Sequence, residues 1–391
     1  MPAQAPSDLG AALIGLIGTR GPLSRADAAR LLNVSPTRIT RITKSLLATG
    51  LITETGTVPS DGGRPATMLA LRIDRRHALG VKVTPNHLTY SRVDLAGQAS
   101  PATSINLNTA APDAPERIVR AIADAVGDTP SDLLGIGLAL PGSLDSDGLV
   151  NSTVLGWQRV ALPAMLSQRT GLPAIVDNDV NALAIAAQLY ENTLPGDVAL
   201  VTIGFGIGCA FAMGSQIYRG AHGGAGELGH TVVDPDGEPC VCGLRGCLET
   251  LISDNALTRR ARATGILPEG AGKDALNTAA AAGDAAALEL FSWAGAQLGY
   301  ALASLVHLLD PALIIISGEG ADMWQYWEPG FTPALRQHIP RHRQDLRVIT
   351  RDWGEDTWAV GAAALVFASP FEGAAPTASR QQVRDLLQVS N

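Results

Sequence analysis

The 391-residue sequence has few aromatic residues, few cysteines and no long apolar run. Aromatic residues make up 4% of the chain, and there are four cysteines. No segment approaches the roughly 20 apolar residues that a membrane-spanning helix needs, and the N-terminus lacks the basic start and cleavage site of a signal peptide. We therefore expect a cytoplasmic protein with no membrane partner. The 42 glycines and 24 prolines follow no fixed period, which excludes collagen-like and low-complexity chains.

The remaining composition is that of a globular protein with an uneven charge distribution. Apolar residues make up 46% of the chain and charged residues 17%, which suits two or three domains with cores of their own. The net charge is −8, yet residues 1–80 hold ten Lys and Arg against five Asp and Glu. A basic N-terminal region on an acidic body favours binding of a polyanion at the N-terminal region.

Two short helices joined by a tight turn are predicted near the N-terminus. Ser24 is a capping residue before the helical pattern SRADAARLL, with Asp27 three positions further on. Ser35 caps a second helix, Pro36 takes its first position, and Gly50 ends it. This pattern is typical of a helix-turn-helix.

The second helix has the composition of a DNA recognition helix. Apolar residues recur at helical spacing, and those predicted to face the core are Ile39, Ile42, Leu46 and Leu47. The polar face carries no acid; Arg and Thr suit base edges in a major groove, and Lys suits phosphates. A helical hairpin with a solvated cationic face is the alternative. The candidate DNA-binding residues of this helix and its cap are Ser35, Thr37, Arg38, Thr40, Arg41 and Lys44.

A two-stranded ribbon is predicted after this helix. Leu51–Glu54 and Thr67–Leu71 have strand character, and Gly56–Ala66 between them is predicted as a loop. The tip of the loop holds two further candidate DNA-binding residues, Gly63 and Arg64. Glycine lets the backbone approach DNA closely, and an Arg at the tip suits the narrow, electronegative minor groove. The ribbon therefore has the character of a wing.

Beyond residue 77, apolar strand patterns alternate with helical patterns in two comparable series. Such alternation predicts parallel or mixed sheets flanked by helices, and two similar halves predict two lobes with a cleft. Asn178 and Asp179 lie where a short apolar strand runs into the helix Val180–Tyr190, and α/β sheets bind ligands at such places. The pair suits a sugar hydroxyl, which Asp179 could deprotonate. Helix capping by the same side chains is an equally open interpretation.

A glycine-rich run contains one histidine and three cysteines at close spacing. They are His230, Cys240, Cys242 and Cys247, and three thiolates with one imidazole fit a closed tetrahedral zinc site. Because all four positions are filled by protein, such a site would hold a loop and not activate water. Buried free thiols are the alternative. Cys209 lies inside an apolar strand pattern and is predicted to be a core residue.

Two acids flank the same run. Glu227 and Glu249 lie near the backbone amides of several glycines and, with His230 between them, suit the vicinal hydroxyls of a sugar. For each acid taken alone, a surface charge is the alternative.

Three segments of the chain together resemble the ROK family, named for repressors, open reading frames and sugar kinases. They are Gly62–Pro65 in the predicted wing, Val176–Asn181, and the run Gly220–Glu249 with its Cys-x-Cys-Gly-x-x-Gly-Cys-x-Glu pattern. The resemblance covers nearly the whole chain. It implies an α/β protein in which a winged helix-turn-helix precedes a two-lobed, actin-like and ribonuclease H-like sugar kinase fold.

The same resemblance implies domain bounds and site residues. The domains are a DNA-binding head (1–76), a smaller lobe (77–191) on which a last helix (377–388) would pack, and a larger lobe (192–371) with the zinc loop and an oligomerisation surface. Zinc is implied on His230 and the three cysteines of its run, and Asp179 takes the position of the kinase base. The implied sugar-binding residues are Gly142, Asn178, Asp179, Glu227, His230 and Glu249.

Both phosphate-binding loops of the family's kinases are altered here. Those kinases carry an Asp-x-Gly-Gly-Thr-like turn whose glycine amides cradle phosphates and whose Asp helps to position magnesium. This chain has Lys82 in place of the acid, and Pro85 removes a backbone donor. In the second loop, Gly204–Gly208, Phe205 replaces a hydroxyl residue. We therefore predict that the chain transfers no phosphoryl group.

The sequence predicts a sugar-responsive transcriptional regulator of carbohydrate metabolism, a repressor that binds a palindromic DNA operator as a homodimer or homotetramer. Its predicted cofactor is structural zinc, and its effector is a sugar or a phosphosugar. Val154 stands where family members usually place an Asn, and whether Asn151 compensates is open. The alternatives are an ATP-dependent sugar kinase with an appended DNA-binding head and a regulator that binds no sugar.

Overall fold

The computed structural model describes residues 8–60, 63–72, 76–127, 132–191, 194, 196–214, 216–352, 354, 356–369 and 378–386. These residues divide into two compact units. The first unit is drawn from Met1–Leu194, Gly214–Gly224 and Glu355–Asn391, and the second from Pro195–Met213 and Ala225–Gly354.

The chain begins with a winged helix-turn-helix in the first unit. Its elements are α1 (Asp8–Arg20), β1 (Leu23–Ser24), α2 (Arg25–Leu31), α3 (Pro36–Ala48), β2 (Ile52–Ser60) and β3 (Gly63–Leu71). The predicted caps are confirmed. The Ser24 hydroxyl oxygen accepts the Asp27 N–H at 3.1 Å, and that of Ser35 accepts the Arg38 N–H at 3.4 Å, so each helix begins where its serine predicts.

The wing has longer strands than the sequence predicts. β2 pairs antiparallel with β3 from Ile52 opposite Leu71 out to Ser60 opposite Gly63, so the predicted loop Gly56–Ala66 is wrong. The pairing register shifts on either side of the Thr57 and Val58 pairs, and such irregularities let a strand continue past Gly56 and Pro59. The tip residues 61 and 62 and the side chain of Arg64 lie outside the described part of the chain.

The body alternates strands and helices as predicted. In chain order its elements are β4 (His77–Val83), β5 (His87–Asp94), β6 (Thr103–Asn106), α4 (Ala114–Val126), β7 (Leu133–Leu140), β8 (Ser143–Leu144), β9 (Val150–Ser152), β10 (Trp157–Val160), α5 (Leu162–Thr170), β11 (Ala174–Asn178), α6 (Asp179–Tyr190), β12 (Val198–Ile203), β13 (Ile207–Met213), β14 (Gln216–Ile217), α7 (Leu248–Ile252), α8 (Asp254–Ala263), α9 (Lys273–Ala281), α10 (Ala285–Leu309), β15 (Leu313–Ser317), α11 (Trp324–His338), β16 (Arg347–Thr350), α12 (Thr357–Ala368) and α13 (Ala378–Leu386).

The main sheet of the first unit has the strand order β11-β7-β4-β5-β6. β11, β7 and β4 run parallel, so their carboxyl ends lie at one edge, where Asn178 stands opposite Leu140 and Lys82 opposite Ala139. α12 covers this sheet closely. A Cβ at Gly80 would lie 2.0 Å from the carbonyl oxygen of Ala359, so only glycine lets the helix backbone rest directly on the strand.

The head and the first lobe share one hydrophobic core. α1 packs against α6, and buried side chains of α1, α6, α12 and α13 belong to one cluster that includes Leu13, Ile185, Phe367 and Val383. The sequence patterns do not predict α1. The predicted larger lobe (192–371) includes α12, whereas α12 packs on β4, β7 and α6 of the first unit.

Within the second unit, the strands β13, β12, β15 and β16 lie side by side in that order in one sheet. β12 and β15 are buried along their whole length, as expected of parallel strands covered on both faces. α10 packs along α11 and supplies much of this unit's core. Within the described ranges of both units, no helix is apolar over a sufficient length to cross a bilayer.

Candidate functional site

The carboxyl edge of the first unit's sheet brings Gly142 and Asn178 together. The Asn178 side-chain oxygen accepts the N–H groups of Val180 (2.9 Å) and Asn181 (3.2 Å), and its amide nitrogen donates to the Gly142 carbonyl at 3.2 Å. Asn178 is therefore the cap of α6. A Cβ at Gly142 would lie 2.5 Å from the carbonyl oxygen of Asn151, so this approach requires glycine.

Asp179 is paired with Lys82. The Lys82 ammonium donates to Asp179 Oδ2, and the two side chains are 8% and 13% exposed, respectively. Lys82 Nζ also lies 3.8 Å from the centroid of the Trp358 ring, within the range of a cation–π contact. Asp179 Oδ1 accepts the Val180 N–H at 2.9 Å. Both carboxylate oxygens of Asp179, the residue at the kinase base position, therefore have protein partners.

The turn after β4 is closed by its own hydrogen bonds. The Thr84 N–H donates to the His87 carbonyl at 2.9 Å, and the Thr84 hydroxyl donates to the same carbonyl at 2.9 Å. The Pro85 carbonyl accepts both the N–H (3.1 Å) and the hydroxyl (2.8 Å) of Thr109. Both donors of Thr84 therefore point into the turn, whereas the donors of a phosphate cradle point outward to the ligand.

Asn151 is engaged in the β9–β10 hairpin. Its side-chain oxygen accepts the Arg159 N–H at 3.0 Å, and its amide nitrogen lies 3.5 Å from the Leu149 carbonyl oxygen. Val154 is half-buried in the turn between these strands.

A carboxylate that the sequence patterns do not single out lies directly beside Asn178. Asp177 is buried, and its Oδ1 accepts the Asn178 N–H (2.8 Å) and an N–H of Asn181 Nδ2 (3.0 Å). Its Oδ2 lies 2.8 Å from Nε and 2.7 Å from Nη2 of Arg219. A carboxylate buried in an apolar strand needs a cationic partner. The position of Asp177 within an apolar strand is therefore the sequence signal that could have revealed this pair.

In the second unit, the predicted ligands converge. The ligand atoms of His230, Cys240, Cys242 and Cys247 all lie within 4.8 Å of one another. The sulfurs of Cys242 and Cys247 are 3.6 Å apart, close to the separation of about 3.8 Å that tetrahedral Zn–S bonds of about 2.3 Å give. This donor set fits a metal ion, because the four ligand atoms have both the chemistry and the spacing that such an ion requires.

The fold of the loop explains this convergence. The Cys240 N–H donates to the Leu244 carbonyl at 2.8 Å, which closes a turn between the cysteines. Gly246 has φ +64°, and a Cβ there would lie 1.4 Å from the Asp234 carbonyl oxygen. Only glycine therefore lets the chain turn back beside Asp234 and deliver Cys247 to the cluster. Burial raises the pKa of the Cys247 thiol to about 12.

His230 has two distinct neighbours. Its Nδ1 lies 3.4 Å from Cys240 Sγ, and its Nε2 lies 3.8 Å from the Glu227 carboxylate. One ring nitrogen therefore faces the thiols while the other faces an acid whose side chain is 51% exposed. The Nε2 side of His230 and the Glu227 carboxylate can therefore face a ligand while Nδ1 stays directed at the thiols.

The loop Gly204–Gly208 is bordered by two carboxylates. A Cβ on Gly204 would lie 2.6 Å from Glu319 Oε2, and one on Gly206 would lie 2.7 Å from Glu249 Oε2. Glu249, in the first turn of α7, also accepts the Ile207 N–H at 3.1 Å. Phe205 is 62% exposed at the same loop.

The polar side of α3 faces solvent. Thr37, Thr40, Arg41 and Lys44 are exposed, as is the cap Ser35, and Arg38 is half-buried. The fully buried residues of α3 are Ile39, Thr43 and Leu46, and the partly buried Ile42 and Leu47 pack against the same core, as predicted. Thr43 was not predicted to be buried; its hydroxyl accepts from Arg25 Nε at 3.2 Å and donates to the Thr40 carbonyl, which satisfies it inside the head.

Comparison with known proteins identifies the chain's family. The ROK family model matches residues 79–369, which is most of the chain. This chain belongs to the ROK family. The predicted fold class is confirmed, because the chain also aligns over nearly its full length with a solved member of the family. That structure is a ROK family transcriptional regulator described as a homolog of the E. coli MLC protein; it covers 98% of this chain and 99% of its own, with a TM-score of 0.77 and 26% identity.

Other ROK relatives include both regulators and kinases. The N-acetylglucosamine repressor of Escherichia coli O157:H7 is 29% identical over 91% of each chain. A ROK family glucokinase from Streptomyces griseus, solved with glucose and AMPPNP, is 28% identical with a TM-score of 0.65 and covers 74% of this chain and 98% of its own. The solved regulator covers 98% of this chain, so its alignment includes the head as well as the body.

Proposed function

We propose that this ROK protein is a DNA-binding transcriptional repressor of carbohydrate metabolism genes whose operator affinity changes when a sugar or phosphosugar binds. The observation that carries the proposal is the exposed, acid-free polar side of α3, in a complete winged helix-turn-helix. The full-length similarity to a repressor supports it.

The head offers two contacts to duplex DNA. Arg38 and Arg41 read base edges from α3 in the major groove, and Lys44 with the helix hydroxyls binds phosphates. Gly63 and Arg64, at the start of β3, place the wing in the minor groove. A homodimer or homotetramer presents paired heads, so the operator is palindromic with half-sites about 34 Å apart or a multiple of that.

Each unit offers groups that suit a sugar. The first unit offers Gly142, Asn178 and Asp179 at the carboxyl edge of its sheet, and the second offers Glu227, His230 and Glu249 beside the metal cluster. Carboxylate and amide groups are the usual partners of sugar hydroxyls. The repressor relative is named for N-acetylglucosamine, and the glucokinase relative was solved with glucose. Hexoses are therefore the first effectors to test.

The metal of the cluster is zinc, held by His230 Nδ1 and the thiolates of Cys240, Cys242 and Cys247. With four protein ligands the ion is structural; bound zinc would fix the loop and the imidazole orientation. Because Nδ1 faces the thiols, Nε2 is left to act toward Glu227 and a sugar hydroxyl.

The phosphate loops favour a regulator over a kinase. Lys82 stands where family kinases keep an acid that helps to position magnesium, and its positive charge is paired with Asp179. The Gly204–Gly208 loop has the Glu319 carboxylate against Gly204, and a carboxylate there repels a phosphate. Phosphoryl transfer depends on such loops for positioning, so the retained Asp179 is a hydroxyl acceptor and not a base.

A footprint on DNA from the protein's own upstream region, followed by fluorescence anisotropy with the sugars present, tests the proposal. We expect salt-sensitive binding to a paired site, with a shift in affinity of at least about fivefold for one sugar. Glu227→Gln should lose the sugar shift and keep operator binding, whereas Glu238→Gln, an exposed acid of the same loop, should keep both. An operator complex that no sugar shifts would favour a regulator without a sugar effector.

A further inference from the structure

We infer that Arg219 and Asp177 form a positioning pair that sets the backbone of Asn178 and Asp179 for the effector sugar. The inference rests on the proposed function, because it concerns the same site. It assigns a role to two residues that do not themselves touch the sugar.

Asp177 is saturated by protein donors. Its Oδ1 accepts from the Asn178 N–H and Asn181 Nδ2, and its Oδ2 accepts from both Nε and Nη2 of Arg219, all between 2.7 and 3.0 Å. The carboxylate side chain is 8% exposed. Since its oxygens are occupied, Asp177 acts on a ligand only through Asn178 and the first turn of α6.

Several contacts anchor the segment that carries Arg219 to the first unit. Gly214–Gly224 belongs to this unit, although the chain on both sides of it belongs to the second. Ile217 packs against the core of the unit, and Arg219 adds the ion pair to Asp177. Gly223 lies directly on the unit's backbone, because it has φ +78° and its Cβ would lie 2.1 Å from the Leu144 carbonyl oxygen. The ion pair therefore couples the Asn178 turn to the glycine run that leads along the chain to Glu227.

The chemistry of the pair requires the Arg219 guanidinium. Two N–H groups of Arg219 meet one oxygen of a buried carboxylate, and a neutral residue there would leave Asp177 buried and partly unpaired. A lysine keeps the charge but has no planar fork, so it restores only part of the geometry. The expected order of sugar affinity is wild type, then Arg219→Lys, then Arg219→Gln.

Arg92 and Asp132 provide a matched control. Arg92 Nη1 donates to Asp132 Oδ2 at 2.9 Å, and Arg92 stands opposite Leu79, away from the carboxyl edge that holds Asn178. Arg92→Gln therefore removes an Arg–Asp pair of the same unit without touching the candidate site.

The test uses the full chain and two measurements. Calorimetry with D-glucose, N-acetyl-D-glucosamine and their 6-phosphates gives sugar affinity, and hydrogen exchange by mass spectrometry follows peptides covering 176–181 and 219–224. We expect Arg219→Gln to weaken sugar binding about tenfold or more, to speed exchange in both peptides, and to leave sugar-free operator affinity within about threefold. Arg92→Gln should change neither sugar affinity nor exchange in these peptides.

The outcomes separate this inference from the proposed function. Unchanged exchange in Arg219→Gln overturns the positioning role, whether or not any sugar binds. Equal losses of sugar and operator affinity also overturn it, since they indicate a purely structural pair. If the wild type binds none of the four sugars, the proposed effector class fails while the exchange result still decides whether the pair orders the turn. Should Arg219→Gln fail to fold, Arg219→Lys is measured in the same way.

Discussion

Lys82 places its ammonium between the carboxylate of Asp179 and the ring of Trp358. The three residues come from β4, α6 and α12, and they meet at the carboxyl edge of one sheet. The Lys82 ammonium thus lies against Asp179, which occupies the position that the resemblance implies is the base of family kinases. Lys82 therefore gives Asp179 a buried cationic partner at the place where the kinase turn would carry an acid.

Removing one member of this pair should destabilise the first unit. Lys82→Met leaves the Asp179 carboxylate largely buried without its cation, and we expect the free energy of unfolding to fall by about 3 kcal/mol or more. The double variant Lys82→Met/Asp179→Asn should recover much of this loss, because no unpaired charge remains. Urea denaturation followed by tryptophan fluorescence measures both.

Glu54→Gln supplies the control for that experiment. Arg25 and Glu54 form an ion pair at 2.6 Å, but their side chains are 32% and 49% exposed. Its loss should cost under about 1 kcal/mol. A cost for Lys82→Met no larger than that of Glu54→Gln would contradict the importance of the buried pair.

The cluster of His230 and the three cysteines should hold one zinc ion per chain. Cys240→Ser and Cys247→Ser should each lose most of the bound zinc in elemental analysis, because each removes a thiolate from a four-ligand set. Cys209→Ala should retain it, since Cys209 is a buried residue of β13 outside the cluster. Equal zinc in all four proteins would rule out the assigned ligands.

Zinc uptake should release protons. Burial raises the pKa of the thiols of Cys240 and Cys247, the latter to about 12, so both carry protons at neutral pH in the metal-free protein. Because zinc binds thiolates, uptake at pH 7 should release about two protons or more, and affinity should fall as the pH falls. Calorimetry in two buffers of different ionisation enthalpy counts the protons; a count near zero would be inconsistent with thiolate ligation by both residues.

The parts of the molecule that the sequence predicted are those with local signals. Ser24 and Ser35 fix helix starts by bonds to residues three positions away, and the metal ligands lie within one short loop. The apolar strand patterns beyond residue 77 are also local signals, and they predicted the alternation of strands and helices in the body.

The missed features depend on tertiary context. Gly10, Gly15 and Gly18 weaken the helical signal of α1, which is stabilised by packing on α6. Lys82 meets Asp179 only because β4 and β11 end at the same sheet edge, and Arg219 meets Asp177 across 42 positions. No spacing rule connects residues so far apart in sequence.

The exposed cations of α3 should control DNA binding in different ways. Lys44→Ala should weaken binding to all sequences and lower the slope of log affinity against log salt by about one, because it removes a phosphate contact. Arg41→Ala should cost about 1–3 kcal/mol and relax discrimination at one base pair of each half-site. Arg120→Ala, an exposed arginine on α4, should change neither property. The same small loss in all three variants would contradict the assignment of α3 to the groove.

The core shared by the head and the first lobe should be sensitive to α1. Leu13 is fully buried there, so Leu13→Ala should lower the free energy of unfolding by about 2–5 kcal/mol. Leu308→Ala, at an 81% exposed position, should have little effect. If Leu13→Ala melts the head alone and leaves the lobe's transition unchanged, the two do not share a cooperative core.

The most direct test of the account measures DNA binding and phosphoryl transfer in one sample. Labelled operator, the protein, Mg-ATP and each sugar are combined, and operator anisotropy is followed together with ADP production. The account predicts that one sugar shifts operator affinity by at least about fivefold, with ADP no higher than in the Asp179→Ala variant. Sugar-dependent ADP production above that variant, with operator affinity unchanged, would contradict it.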